Sequence, residues 1–197
     1  MKRIAIVGNG PVDPRLFAEI DAMEHVVRFN KPPPANQYPA MRTDQLSLVN
    51  SASIKGTLKS PAYLATPAWQ TARAVLLPLH PDIIGQRMPP APLWKRLLGQ
   101  SRDKSAAIGR IAQAAGKPVE TIAAEIFFTA CRALNIPGKY YFPRGAPSSG
   151  MLVITHFLET TDAQLALFGF GFQGSKWHDW EAEKKWVEGQ ERVVIKK

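Results

Sequence analysis

At 197 residues, with 45% hydrophobic, 9% aromatic and 21% charged residues, the chain has the length of one compact domain and an ordinary globular make-up, which excludes disordered and fibrous architectures. Its net charge of +9 attracts anionic partners over roughly 8 to 10 Å; nucleic acid, anionic lipid and a charged nucleotide-sugar all qualify, and charge alone does not choose among them. No run of 18 apolar residues occurs and the N-terminus enters "RIAIVG" without the layout of a signal peptide, so a cytoplasmic chain without a transmembrane segment is expected.

Residues 3–7 form a short β-branched run ending at Gly8 and read as a buried strand. "PRLFAEIDAM" follows with helical spacing at Leu16, Ile20 and Met23. "HVVRF" reads as the second strand, "QLSLVN" (45–50) alternates like a third, and "ARAVLLPLH" (72–80) reads as a fourth. The proline-punctuated stretches "NKPPPANQYPA" and "QRMPPAP" read as loops of the kind that cover a site. Helices are expected over "SRDKSAAIGRIAQAAGK" and "PVETIAAEIFFTACRALN", the second apolar enough to be buried. It carries the single cysteine, Cys131, which cannot form an internal disulfide and reads as a small buried hydrophobe.

The last fifty residues read as strand "KYYFP", turn "RGAPSSG", helix "MLVITHFLETT", strand "QLALFGF", helix "HDWEAEKKWVE" and closing strand "RVVIK". Strands alternating with helices predict an α/β fold with a mostly parallel central sheet flanked by helices. With no repeat and no compositional break, one domain over 1–197 is expected.

Gly8-Asn9-Gly10 after the first strand suggests a nucleotide loop, but the dinucleotide pattern fails twice. Asp13 stands where the third glycine belongs, and the second strand ends in Arg28-Phe29-Asn30 in place of a ribose-binding carboxylate. What remains is two glycines that would let a ligand approach the backbone, with Asn9 and Asn30 at the carboxyl ends of adjacent strands and Arg28 beside them in support. The plainer alternative is that Asn9 tolerates a left-handed turn and Asn30 caps a loop.

"APSSG" places the hydroxyls and backbone N–H groups of Ser148, Ser149 and Gly150 at a helix N-terminus, suited to an anion or equally to ordinary N-capping. His178 precedes a helical segment and is a candidate general base. Within a helix Glu181, three positions on, would reach the imidazole; Glu183 would act only if His178 lies outside the helix. Alternatively Asp179, Glu181 and Glu183 are first-turn charges. His25, His80 and His156 are scattered and read as structural, and no metal-ligand cluster is expected.

The order of these pieces resembles the glycosyltransferase family of the animal-type sialyltransferases. The likeness runs through "IAIVGNGP…IDAMEHVVRFNKPP…RTDQLSLVN", "PSSGMLVITHFLETTDAQLALFGFG" and the His-x4-Glu pattern of "HDWEAE", about ninety residues in all. It implies a Rossmann-like, sialyltransferase-type GT-A variant. Gly8, Asn9, Gly10, Asn30, Ser148, Ser149 and Gly150 would hold the cytidine monophosphate (CMP) of a CMP-activated acidic sugar, and His178 would be the base of a metal-independent inverting transfer to a glycan or other hydroxyl acceptor. Such an enzyme uses no cofactor beyond its CMP-sugar donor. The family's two motif cysteines are replaced by residues near Ile4 and Thr161, as a cytosolic, bacterial-type relative would allow.

The chain is also similar to short proteins labelled urease operon accessory proteins, which keeps a second reading open: a catalytically silent nucleotide-binding protein. A third, in which Lys95, Arg96, Arg102, Lys104 and Arg110 meet nucleic acid or a membrane surface, rests on few residues. Nucleic acid is therefore not the expected partner, and peripheral membrane contact stays open. Acceptor specificity is expected from loops 31–44, 51–72 and 85–105.

Overall fold

Aliphatic, β-branched strands bury both faces when they pair in parallel with helices on each side. The computed structural model describes residues 2–31, 42–51, 58, 60–88, 92–97, 101–137 and 146–196 and has this architecture. Among the described residues seven strands, β1 Arg3–Val7, β2 His25–Phe29, β3 Gln45–Ser47, β4 Ala74–Leu77, β5 Val119–Thr121, β6 Gln164–Phe168 and β7 Val193–Ile195, form one all-parallel sheet. Its order is β5-β4-β3-β2-β1-β6-β7. The chain winds from β1 out to β5, then crosses back to add β6 and β7 on the other side, so the winding reverses between β1 and β6.

The connecting helices are α1 Phe17–Asp21, α2 Pro61–Leu64, α3 Pro67–Thr71, α4 Pro81–Arg87, α5 Leu93–Leu97, α6 Ser105–Ala114, α7 Ala124–Ala133, α8 Ser149–Thr160 and α9 Trp180–Glu188. Alternation along the strands sorts the core. Ile4, Ile6, Phe29 and Leu167 pack with Ile83, Phe127 and Leu152 of α4, α7 and α8. Ala5, Val7 and Phe168 face the other way, onto Ile20 and Met23, while Leu46, Val75 and Leu77 pack with Tyr63, Trp69 and Ile108 of α2, α3 and α6. Each aliphatic side chain buried in this way contributes about 1.5 to 3 kcal/mol, so the two covered faces hold the strand ends, and the loops on them, in place.

Two expectations are corrected. The helix expected over 118–135 begins only at Ala124; Val119–Thr121 pairs with Val75–Leu77 as the edge strand β5. β-branched Val119 and Thr121 suit that strand better than a first helical turn. The third strand is shorter than 45–50 and does not alternate: Gln45, Leu46 and Ser47 are all buried, because helices cover both faces of a central strand. The expected strand "KYYFP" lies outside the described residues. The closing strands join the same sheet, with β6 paired to β1 and β7 to β6. No helix among the described residues is long and apolar enough to cross a membrane.

Candidate functional site

The reversal between β1 and β6 opens a crevice at the carboxyl ends of the strands, the place where open parallel sheets bind ligands. The loops leaving these two strands meet there. Gly8 N–H donates to the Phe168 carbonyl at 2.8 Å and Gly10 N–H to the Gly169 carbonyl at 3.0 Å. A Cβ at either Gly8 or Gly10 would sit 2.6 Å from the Gly169 oxygen, and one at Gly169, whose φ is +63°, would sit 2.8 Å from the Gly10 oxygen. The two glycines line the cavity, but the atoms that require them to be glycine belong to the neighbouring loop. This contact is a reason for glycine at both positions that stands beside the expected approach of a ligand to the backbone.

The first cavity has a volume of about 650 Å³. Gly8, Asn9, Gly10, Asn30, Ser148, Ser149, Gly150 and His178, drawn from four separate stretches of sequence, all line it. Asn9 is exposed and its φ is not positive, so it is not there to form a left-handed turn. Asn30 does occupy the left-handed region, with φ 47°. Its Oδ1 accepts from Val49 N–H at 2.8 Å and its carbonyl from the Tyr63 hydroxyl. The amide NH2 of Asn30 is thus the group left to donate into the cavity.

Sequence reasoning passed over the loop 169–175, which supplies seven of the seventeen lining residues. Phe170 and Phe172 of this loop, with Phe29 and Trp180, form aromatic walls; Phe29 and Phe170 meet edge to face at 6.2 Å. Phe172 holds a φ of 45°, uncommon for a bulky residue. The legible signal was "GFGFQGS" directly after a buried strand, a glycine and aromatic alternation at a strand's carboxyl end.

A second cavity of about 580 Å³ lies against the first, and Ser149 and His178 line both. Its walls come from α4, α7 and α8 and from Trp177, with Arg87 and Arg102. Ser51, Arg87, Met88 and Arg102 fall within the segments 51–72 and 85–105; residues 31–44 contribute no described lining residue.

His178 lies just outside α9, which is capped by Asp179 accepting from Ala182 N–H at 3.0 Å. Its Nδ1 is 2.7 Å from the Ala146 carbonyl. A carbonyl can only accept, so Nδ1 carries the proton and Nε2 keeps a free lone pair. Burial lowers the imidazole pKa and the Ala146 bond partly offsets this, so the ring is neutral at neutral pH. Trp180 packs edge-on at 5.0 Å, and its indole N–H donates to the Ser175 carbonyl at 3.0 Å.

Glu183 is not a solvated first-turn charge. It is 2% exposed and grips the start of α8: Ser148 N–H donates to Oε1 at 2.7 Å and the Ser148 hydroxyl to Oε2 at 2.6 Å. The same hydroxyl caps the helix by accepting from Met151 N–H at 3.0 Å. Ser148 is therefore committed within the protein, and Ser149, with the backbone at Gly150, is the polar surface this helix start presents to the cavity. Burial pushes the Glu183 carboxyl up to about 7, against the pull of the two Ser148 bonds, with the Asp179 charge adding to the rise. His178 and Glu183 thus hold Ala146 and Ser148, two points on one short stretch.

The expected contact between Glu181 and the imidazole does not form, since His178 is outside the helix and Glu181 points to solvent. Arg28 is also outside both cavities. Strand alternation turns it away from Phe29, and it is buried with Nε donating to the Arg42 carbonyl at 3.0 Å. His80 caps α4 by accepting from Asp82 N–H at 3.3 Å, and His25 meets Gln45 at 3.4 Å. Among the described residues no group of three or more His, Cys, Asp or Glu is placed to hold a metal ion.

No protein-family model matches the chain. It is 28% identical over a 206-residue alignment to the urease operon 23 kDa accessory protein of Rhizobium meliloti (strain 1021), covering 94% of this chain and 87% of that protein. Among solved structures it matches a mammalian sialyltransferase in complex with Gal-beta-1-3GalNAc-ortho-nitrophenol, with a TM-score of 0.59 and 17% identity, over 100% of this chain and 69% of that one. It also matches the sialyltransferase CstII from Campylobacter jejuni in complex with the substrate analogue cytidine-5'-monophosphate, with a TM-score of 0.54 and 12% identity, over 99% of this chain and 79% of that one. Identities this low establish architecture, and the architecture is clear: the chain has the Rossmann-like fold of the sialyltransferases.

Proposed function

We propose that the chain is an inverting glycosyltransferase that moves an acidic sugar from a CMP-sugar donor in the first cavity to the hydroxyl of an acceptor in the second. The observation that carries this reading is the position of His178. It lines both cavities, with Nδ1 tied to a backbone carbonyl and Nε2 left basic.

In this reaction Nε2 takes the proton of the acceptor hydroxyl as its oxygen bonds to the anomeric carbon. The bond from that carbon to the phosphate oxygen breaks, and CMP leaves with the electron pair. Backbone N–H groups at Ser149 and Gly150, at the start of the twelve-residue helix α8, favour the charge that develops on the phosphate. Asn9 and the Asn30 amide NH2 donate to the nucleotide, and the aromatic walls offer its base a stacking surface. Glu183 acts through Ser148 as a positioning residue.

A second reading, a nucleotide-binding accessory protein without transfer activity, is favoured by the 28% identity to the Rhizobium meliloti protein. Calorimetric titration with CMP, CDP, UMP and NADH separates the cases. CMP-selective binding that is lost in Asn9→Ala and kept in His178→Ala supports the donor site. Transfer from CMP-sialic acid that disappears in His178→Ala then supports catalysis; CMP binding without transfer to any acceptor favours the accessory reading. Absence of nucleotide binding would falsify both.

A further inference from the structure

The second cavity differs in chemistry from a site built for a neutral sugar. Nine of its fourteen lining residues are apolar, among them Leu79, Ile83, Phe127, Leu152 and Trp177. Its other polar surface, apart from Ser149 and His178 at the junction, is Ser51 and two arginines. No carboxylate and no side-chain amide is among the lining residues described. A polyol buried here would leave most of its hydroxyls without partners, each at a cost.

The arginines supply the other half of the specificity. Arg87 ends α4 with its guanidinium over the Phe128 ring, 5.3 Å from the centroid, at the wall of the cavity. Arg102 is exposed and reaches the same cavity from the opposite end of the 85–105 segment. Two guanidiniums and no carboxylate at an apolar wall suit an anion attached to a hydrophobic body.

From this we infer that the second cavity selects an amphipathic acid: a hydroxyl compound with an aryl or alkyl body and a carboxylate or phosphate that Arg87 and Arg102 bind. Its role as the acceptor rests on the transferase reading; its binding preference does not. The hydrophobic body lies on the α4, α7 and α8 walls, the acidic group meets the arginines, and the hydroxyl is directed to His178.

The test titrates the full chain, with and without CMP, with 4-nitrophenyl β-D-glucuronide, 4-nitrophenyl β-D-glucoside and lactose. The first two differ only in a carboxylate replacing a hydroxymethyl group; the third lacks the aryl body. The glucuronide is expected to bind about tenfold tighter than the glucoside, with lactose weaker than both. Arg102→Gln and Arg87→Gln should each reduce that preference towards parity. Arg102 is exposed, so its variant decides the matter even if Arg87→Gln impairs folding. Equal binding of the two glycosides, a preference that survives loss of Arg102, or lactose binding as tight as the glucuronide would each overturn the inference. Glucuronide preference without CMP binding removes the donor site and leaves the pocket's selectivity standing; CMP binding without the preference does the reverse.

Discussion

The two cavities that meet at His178 are built by different means. The first is framed by backbone: six of its seventeen lining residues are glycine, and the loops after β1 and β6 hold each other through peptide hydrogen bonds. The second is framed by side chains projecting from α4, α7 and α8. A frame made of peptide groups tolerates almost no added atom, whereas a wall of side chains can change residue by residue while the helices stay in place. The first cavity is therefore constrained in sequence and shape, and the second is where the lining can vary.

The largest effect expected is on the group that belongs to both cavities. His178→Ala should lower transfer about a hundredfold to ten-thousandfold while leaving CMP affinity within about twofold, read by initial rates and calorimetry. Because burial lowers the imidazole pKa below its ordinary 6.5, kcat/KM of the wild-type chain should rise with pH with its midpoint below that of a free imidazole. A midpoint above 7 would contradict a buried neutral base.

Next in size is a change confined to the backbone frame. Gly10→Ala places a Cβ 2.6 Å from the Gly169 oxygen and should cost about 3 kcal/mol in urea unfolding, with loss of nucleotide binding. If Gly10→Ala unfolds at the wild-type urea midpoint, the two loops are not in the contact described and the contrast fails.

Glu183 tests the link between the frame and α8. Glu183→Ala leaves the Ser148 N–H and hydroxyl without their acceptor and should cost about 1 to 3 kcal/mol; Glu183→Gln, which can still accept from the N–H, should cost less. The folded-state pKa of Glu183 is raised to about 7 from the ordinary 4.5, so the folded chain binds more protons between these values. Its contribution is complete below about pH 4.5 and is lost as pH rises through 7. Comparing urea midpoints of the wild type and Glu183→Gln at pH 5 and 8 checks the sign: the wild type should lose stability relative to the variant at the higher pH.

The smallest effect belongs to the second wall. Arg102→Gln, at an exposed position, should shift stability by less than about 0.5 kcal/mol. A large loss would make Arg102 a structural residue and blur the distinction between the cavities.

Much of this architecture could be read from local pattern. Strands β1, β2 and β6 and helix α8 follow from apolar runs, turn residues and the serine cap, because their periodicity and their burial agree. The strand β5 was hidden inside a helical reading, since its three residues become a strand only by pairing with β4. The loop 169–175 was legible as glycine and aromatic residues but not as half of a cavity wall, because its partner loop lies about 160 positions earlier in the chain. Ser148 and Glu183, 35 positions apart, show no mutual preference until α9 is laid against the start of α8.

By itself the sequence determined the period of its elements, the parallel α/β class and the residue types at the strand ends, since these depend on neighbours within a few positions. Tertiary structure alone decided that Gly8 and Gly10 answer to Gly169, that Glu183 serves Ser148 and not His178, and that His178 stands between two cavities of opposite chemistry. Those facts are contacts between distant segments. They exist only once burial of the sheet's two faces has brought the segments together.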